Sequence, residues 1–120
     1  MGKTKTINYM GKAIFVMDFS NTKTLQEINI IIEESKKHIH SKPKGSLLAI
    51  TNMTNMHFSK EIADVFTSFV KSNKPYINKS SVYGMSSLAR VVFNGIMKIT
   101  GRDIRSFDSE LNAKNFLVQN

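Results

Sequence analysis

The sequence has 120 residues, of which 41% are hydrophobic and 22% are charged, and its formal net charge is +8. This length predicts a single domain over residues 1–120, and the composition is typical of a globular chain. The lack of cysteine excludes disulfides, thiolate metal sites and cysteine nucleophiles. Without an apolar run of roughly 20 residues or a secretory signal, we expect a cytoplasmic protein that is not an integral membrane protein.

The alternation of apolar and polar residues predicts the element order β-β-α-β-α-β-α-β-α. We expect the strands at Thr4–Tyr9, Lys12–Asp18, Ser46–Asn52, Lys79–Gly84 and Ile104–Phe107. We expect the helices to begin after the N-caps Thr24, Ser59, Ser86 or Ser87, and Asp108. Because helices separate the later strands, the fold class is α/β, with a mostly parallel sheet, an antiparallel N-terminal strand and covering helices.

The third predicted helix carries more apolar surface than one buried face requires. Its core face is expected to consist of Leu88, Val92, Ile96 and Ile99. A second apolar stripe, the candidate interaction stripe, consists of Ala89, Phe93 and Met97. Either this stripe packs against the C-terminal helix through Phe116 and Leu117, or it binds a partner protein, a second copy of the chain or an apolar ligand.

Polar side chains follow the predicted strands at the carboxyl edge of the sheet, where parallel sheets bind ligands. The candidate binding rim consists of Ser20, Asn21, Asn52, Thr54, Asn55, His57, Ser86 and Ser87. Such groups beside helix N-termini are suited to an anion. The same residue types also serve turns and caps, so both interpretations stay open here.

The sequence predicts no catalytic residue, metal site or cofactor. His57 and Ser59 are two residues apart, so they diverge along the backbone, and no third orienting residue is identifiable. His38 and His40 are also two apart, on a helix, so we expect them to point to different sides and toward solvent. The glycines have neither dinucleotide nor P-loop spacing. We therefore expect a protein that is not an enzyme.

Most basic residues fall at predicted helix C-termini or in the loops that follow. This group comprises Lys36, Lys37, Lys42, Lys44, Lys71, Lys74, Lys79, Lys98, Arg102 and Arg105. Cations there complement the helix dipoles and lie opposite the candidate binding rim. Except at Tyr76, aromatic residues do not alternate with them, as they do on surfaces that bind single-stranded nucleic acid. Nucleic-acid binding is therefore not expected.

Four stretches of the chain resemble small bacterial STAS-like proteins, most of which have no assigned function. They are Gly11–Ser20, Gly45–Asn52, Asn73–Tyr76 and Thr100–Asp108. STAS is the fold of bacterial anti-sigma-factor antagonists, and some of these small proteins are also described as resembling CRAL-TRIO lipid-binding domains. The resemblance spans nearly the whole chain and implies one STAS-like domain.

The resemblance gives Ser59 a role by position. In the antagonists, a phosphorylatable serine lies where a core strand gives way to the next helix, and Ser59 matches that place. A phosphate there would face unpaired backbone N–H groups at the positive end of a helix dipole. The acidic residue that precedes the antagonists' serine is Phe58 here, and Lys60-Glu61-Ile62 follows in place of a small residue and glycine. Ser59 is therefore a candidate phosphorylation or anion site, or a plain N-cap.

Two functions follow as hypotheses. The first is a non-catalytic regulatory or protein-interaction module of STAS type, with the loops around Ser59 and the third helix contacting a protein partner or a second copy. The alternative is a carrier of a small apolar or lipid-like ligand. It is suggested by the resemblance to lipid-binding domains and by Met53, Met56, Phe93 and Met97.

Overall fold

The computed structural model describes residues 3–119, which fold as one sheet with helices on both faces. The strands are β1 (Thr4–Tyr9), β2 (Lys12–Asp18), β3 (Leu47–Asn52), β4 (Ile77–Tyr83) and β5 (Arg105–Phe107). The helices are α1 (Leu25–Ile39), α2 (Lys60–Asn73), α3 (Ser87–Thr100) and α4 (Glu110–Val118), with a short 3-10 turn at Lys74–Tyr76. No helix in this range combines the length and apolar character needed to cross a bilayer.

The sheet has the strand order β1-β2-β3-β4-β5. β1 pairs antiparallel with β2, and every later pair is parallel. Met10 and Gly11 turn the hairpin with φ angles of 52° and 79°, a left-handed conformation that suits a tight turn between twisted strands. The predicted α/β class, element order and mixed sheet are therefore confirmed.

Helices α1, α2 and α3 cover one face and bury the first core. Their partners are alternate strand residues, including Phe15 and Val82. Phe66 of α2 lies at the centre, with its ring centroid 5.1 Å from that of Phe19 and 6.4 Å from that of Phe93. Because α2 contacts both α1 and α3, it is the middle helix of this layer.

Helix α4 covers the other face and buries a smaller second core. Its fully buried members are Ile14, Ile50, Ala113 and Leu117. The hydroxyl of Ser81 on β4 donates a hydrogen bond of 3.0 Å to the Ala113 carbonyl oxygen, which fixes the helix on the sheet. Since α4 packs mainly on β3, β4 and β5, the β1–β2 part of this face is less covered.

The predicted core face of α3 is right for Ile96 and Val92, which lie in or against the first core, and wrong for Leu88 and Ile99. The candidate interaction stripe belongs to the first core, because Ala89 and Phe93 are each 2% exposed and Met97 packs against that core. Two residues of the predicted core face point outward instead, Leu88 at 66% exposure and Ile99 at 74%. Both ridges of the helix are apolar, so periodicity alone does not tell which of them meets α2.

The helix N-caps are mostly as predicted. Thr24 forms a complete capping box: its hydroxyl accepts from the Glu27 N–H at 3.1 Å, and the Glu27 carboxylate accepts from the Thr24 N–H at 3.1 Å. The predicted cap of α4 is wrong by one residue, since Ser109 holds that position. Asp108 instead forms an ion pair with Arg90, with 3.4 Å between the charged atoms.

Candidate functional site

The loops after β2, β3 and β4 meet at the carboxyl edge of the sheet. The Phe19 N–H donates to the Asn52 carbonyl oxygen, and the Met53 N–H donates to that of Tyr83, both at 2.9 Å. A third backbone bond of 2.9 Å joins the Asn21 N–H to the Thr54 carbonyl oxygen. The structure therefore brings the predicted rim together as one connected edge.

β2 and β3 end in the same kind of turn. The Asp18 carboxylate accepts from the backbone N–H and the hydroxyl of Ser20, at 2.9 and 2.5 Å. The Asn52 side-chain oxygen accepts from the same two groups of Thr54, at 3.0 and 2.7 Å. These strand-terminal side chains thus hold the turn residues two positions on, as Asx turns do.

Each turn continues with an asparagine in the left-handed conformation. The φ angles of Asn21 and Asn55 are 61° and 56°, and the Asn55 side-chain amide donates to that of Asn21 at 3.2 Å. The exposed His57 follows, and its backbone N–H donates to the Thr22 carbonyl oxygen at 2.9 Å. Many donors and acceptors of the rim are therefore bonded to other residues of the same loops, as expected if the rim residues serve turns.

The third loop closes against the second at Gly84, whose φ is 84°. A Cβ there would lie 2.8 Å from the Thr54 backbone nitrogen, so only glycine fits this approach. Ser86 follows as the N-cap of α3, its hydroxyl accepting from the Ala89 N–H at 3.1 Å. Ser87 is exposed as the first residue of that helix.

Ser59 lies outside any strand and caps α2. Its φ and ψ are −138° and 172°, and its hydroxyl accepts from the Ile62 N–H at 3.2 Å. The side chain is exposed, while Phe58 before it packs against the first core. Ser59 is therefore accessible at the positive end of a helix, and it performs the capping role that the plain interpretation gives it.

The two histidines at the C-terminal end of α1 point to different sides, as predicted. His38 stacks on Phe15 with 4.2 Å between ring centroids, and His40 stacks on Tyr76 with 4.8 Å. The expectation of solvent exposure is right for His40 and wrong for His38, which is half-buried. Burial lowers the pKa of His38, and the nearby Lys42 acts in the same direction. Within residues 3–119, no three His, Cys, Asp or Glu side chains are grouped as metal ligands.

Basic side chains at the opposite edge serve as helix C-terminal partners. The Arg102 guanidinium donates to the Val70 carbonyl oxygen of α2 at 2.7 Å. The Lys79 ammonium donates to the Gln119 carbonyl oxygen at the end of α4, at 2.6 Å. At these positions the predicted complement to the helix dipoles is confirmed.

Sequence reasoning missed a groove of about 490 Å³ on the α4 side of the sheet. Three of its lining residues, Asp18, Asn52 and Tyr83, pair across neighbouring strands and so form one row. Burial raises the pKa of Tyr83 to about 12, and the carboxylates of Glu110 and Asp18 add to that rise. The signal in the sequence was that all three residues end their strands, although their common face depends on the register.

The space beneath α2 and α3 is filled by side chains. The cavity there measures about 20 Å³ and lies among aromatic rings, including those of Phe66 and Phe93. That volume holds about one water molecule. Met53 and Met56 are also buried members of the first core, so these residues pack the interior.

No protein-family model matches the sequence, and no curated protein matches it. Among solved structures, the chain is similar to the crystal structure of an uncharacterised DUF3478-family protein with a SpoIIAA-like fold from Shewanella loihica PV-4. The TM-score is 0.74 at 10% sequence identity, over 95% of this chain and 91% of that chain. At this identity the similarity shows the fold alone. The chain has the SpoIIAA-like fold, which is the STAS fold that its sequence resembles.

Proposed function

We propose that this protein is a non-catalytic regulatory or interaction module of STAS type that binds a partner protein. Its contact surface is the N-terminal edge of α2 and α3, with the N-caps Ser59 and Ser86, together with the exposed apolar side chains of α3. The observation that carries the proposal is the exposure of Leu88, Val91 and Ile99, at 66%, 70% and 74%.

These three side chains share one side of α3, since at 3.6 residues per turn Val91 lies about 60° from Leu88 in one direction and Ile99 about 20° in the other. Gly95 lies between them and has no neighbouring atom within 4 Å of the position of a Cβ. Isolated exposed hydrophobic residues are normal on a protein surface. An aligned set around a glycine offers instead a flat apolar strip, which is typical of a protein–protein contact.

The strip begins at the loop cluster, because α3 starts at the carboxyl edge of the sheet. Ser59 lies at the same edge, at the start of the neighbouring helix α2. A phosphate on Ser59 would add negative charge beside this surface and would favour or oppose a partner by its charge. The first core does not support the carrier alternative, since the cavity under α3 has room for about one water molecule.

Site-specific photo-crosslinking in the cells from which the chain derives tests this proposal. A photo-reactive phenylalanine analogue replaces Val91 in one variant and Ile99 in another. We expect both variants to form the same discrete covalent adduct. The mass of that adduct distinguishes a different protein from a second copy of the chain.

A matched control places the analogue at Ile30 of α1, which is also exposed, at 61%, but is outside the contact surface. We expect no adduct at Ile30, and loss of the Val91 adduct when Leu88→Asp is added. An equal adduct at all three positions, or none at Val91 and Ile99, contradicts the proposal.

A further inference from the structure

We propose that the groove beside α4 is a binding site for a small organic anion with a short apolar body, such as an aryl carboxylate. This α4-side groove is lined by Lys5, Val16, Asp18, Asn52, Tyr83 and Lys114, among others. Its volume of about 490 Å³ is within the range of roughly 300–1,000 Å³ typical of small-molecule sites. It lies on the other side of the sheet from the α1, α2 and α3 layer.

The groove exists because α4 is short and is held in place over the later strands. The Ser81 hydroxyl bonds to the Ala113 carbonyl oxygen at 3.0 Å. At the other end of the groove face, the Tyr9 hydroxyl donates to the Asn115 side-chain oxygen at 2.6 Å. These two contacts fix α4 relative to β4 and β1, so the groove is formed before any ligand arrives.

The floor of the groove is apolar and its edge is polar. Val16 on β2 pairs with Lys5 on β1, and Ile7 lies on the same face of β1. At the carboxyl edge, the row of Asp18, Asn52 and Tyr83 crosses three strands. A ligand lying along the groove would place its apolar part on the strand side chains and its polar end at this row.

The polar edge presents donors. Because the Asn52 side-chain oxygen accepts from the Thr54 backbone N–H and hydroxyl, its amide nitrogen is turned away to donate. The Tyr83 phenol, whose pKa is raised to about 12, is protonated at neutral pH, as an ordinary phenol is, so it too is a donor. The Asp18 oxygen that serves the turn is occupied by Ser20. Acceptors on the ligand therefore suit the part of this edge formed by Asn52 and Tyr83.

The charges of the lining also select an anion. Lys3, Lys5 and Lys114 face two carboxylates, Asp18 and Glu110. The Glu110 carboxylate is 3.5 Å from the Lys114 ammonium, so that charge is already paired. The Lys3 ammonium also acts on Glu27 of α1, so Lys5 is the ammonium group with which we expect a bound anion to pair.

Amide chemical-shift titration of the whole protein tests the proposal with three probes. They are 1-naphthoate, its neutral analogue 1-naphthamide and inorganic phosphate. We expect 1-naphthoate to give saturable shifts at Val16, Asn52 and Tyr83. We expect 1-naphthamide to bind about tenfold more weakly, because it lacks the charge. We expect phosphate to bind about tenfold more weakly too, because it lacks the apolar contact.

Two charge reversals of equal size locate the site. Lys5→Glu replaces an exposed lysine of the groove, and Lys12→Glu replaces an exposed lysine outside it, on the partner strand of the same hairpin. We expect Lys5→Glu to weaken 1-naphthoate binding by about tenfold or more, and Lys12→Glu to change it by less than about twofold. Tyr83→Phe, which removes one donor and keeps the ring, is expected to weaken binding by several-fold.

Any one of the following results overturns the proposal. The first is the absence of saturable shifts at the groove with 1-naphthoate. The second is binding of 1-naphthamide or phosphate as tight as that of 1-naphthoate. The third is equal effects of Lys5→Glu and Lys12→Glu, or shifts centred on Val91 of α3, which would assign the probe to the apolar strip instead.

Discussion

His38 is a residue whose packing ties the stability of the first core to pH. Its imidazole stacks on Phe15 at 4.2 Å, and burial lowers its pKa below the ordinary value of 6.5. Below that value the unfolded chain takes up a proton more readily than the folded chain does. The contribution of His38 to stability is therefore fully present above pH 6.5 and declines as the pH falls through and below that value.

We expect His38→Gln to flatten the decline in the free energy of unfolding between pH 7.5 and 5. Urea denaturation at several pH values measures this slope. His40→Gln is the matched control, since His40 is on the same helix end but is exposed and stacks on Tyr76 instead. An unchanged slope in His38→Gln would show that other groups set the pH dependence in this range.

Helix α3 has two adjacent apolar ridges, of which one is buried in the first core and the other is exposed. Phe93 is 2% exposed and its ring lies 6.4 Å from that of Phe66, whereas Val91 is 70% exposed. We expect Phe93→Ala to lower the free energy of unfolding by about 3–5 kcal/mol, because it leaves a cavity in the core. We expect Val91→Ala to change it by less than about 0.5 kcal/mol.

Urea denaturation of both variants measures these differences at one pH. The pair is informative because each change removes an apolar side chain from the same helix. A large loss in Val91→Ala with a small one in Phe93→Ala would contradict the burial of Phe93 and the exposure of Val91.

Features that depend on neighbouring residues were predicted well. The bounds of β1 and β2 and the capping box at Thr24 follow from alternation and from contacts three residues apart. At Asp108 and Ser109, two good capping residues are adjacent, so the local signal does not choose between them. The α3 faces depend on which ridge meets α2, a tertiary choice that helical period alone does not decide.

At the candidate site, too, some features were predictable from the sequence and others depend on tertiary contacts. The rim was predictable because parallel strands bring their carboxyl ends to one edge. What the rim residues do there was not, because the bond between the Asn55 and Asn21 amides joins loops far apart in sequence. The α4-side groove depends on both the strand register and the docking position of α4. The sequence alone therefore does not show that Asp18 and Tyr83 line the same groove.

At the scale of the whole molecule, the two faces of the sheet are covered by hydrophobic cores of different size. Three helices bury an extensive first core, whereas α4 alone covers the second, whose fully buried members are Ile14, Ile50, Ala113 and Leu117. Apolar burial contributes about 25 cal/mol per Å², so the smaller core opposes local opening less. We infer that α4 opens from the sheet at a lower free energy than the rest of the fold.

Native-state hydrogen exchange tests this inequality. We expect amides in the last turn of α4, such as that of Leu117, to exchange through an opening of lower free energy and lower urea dependence than the Ile50 amide of β3. The amide of Val70, in the last turn of α2, controls for fraying at helix ends, and we expect it to exchange more slowly than that of Leu117. Leu117→Ala should accelerate exchange in α4 more than in α2. Equal free energies and equal urea dependence for all three amides would show that both cores unfold as one cooperative unit. Helix α4 and the groove beside it would then be as stable as the central sheet.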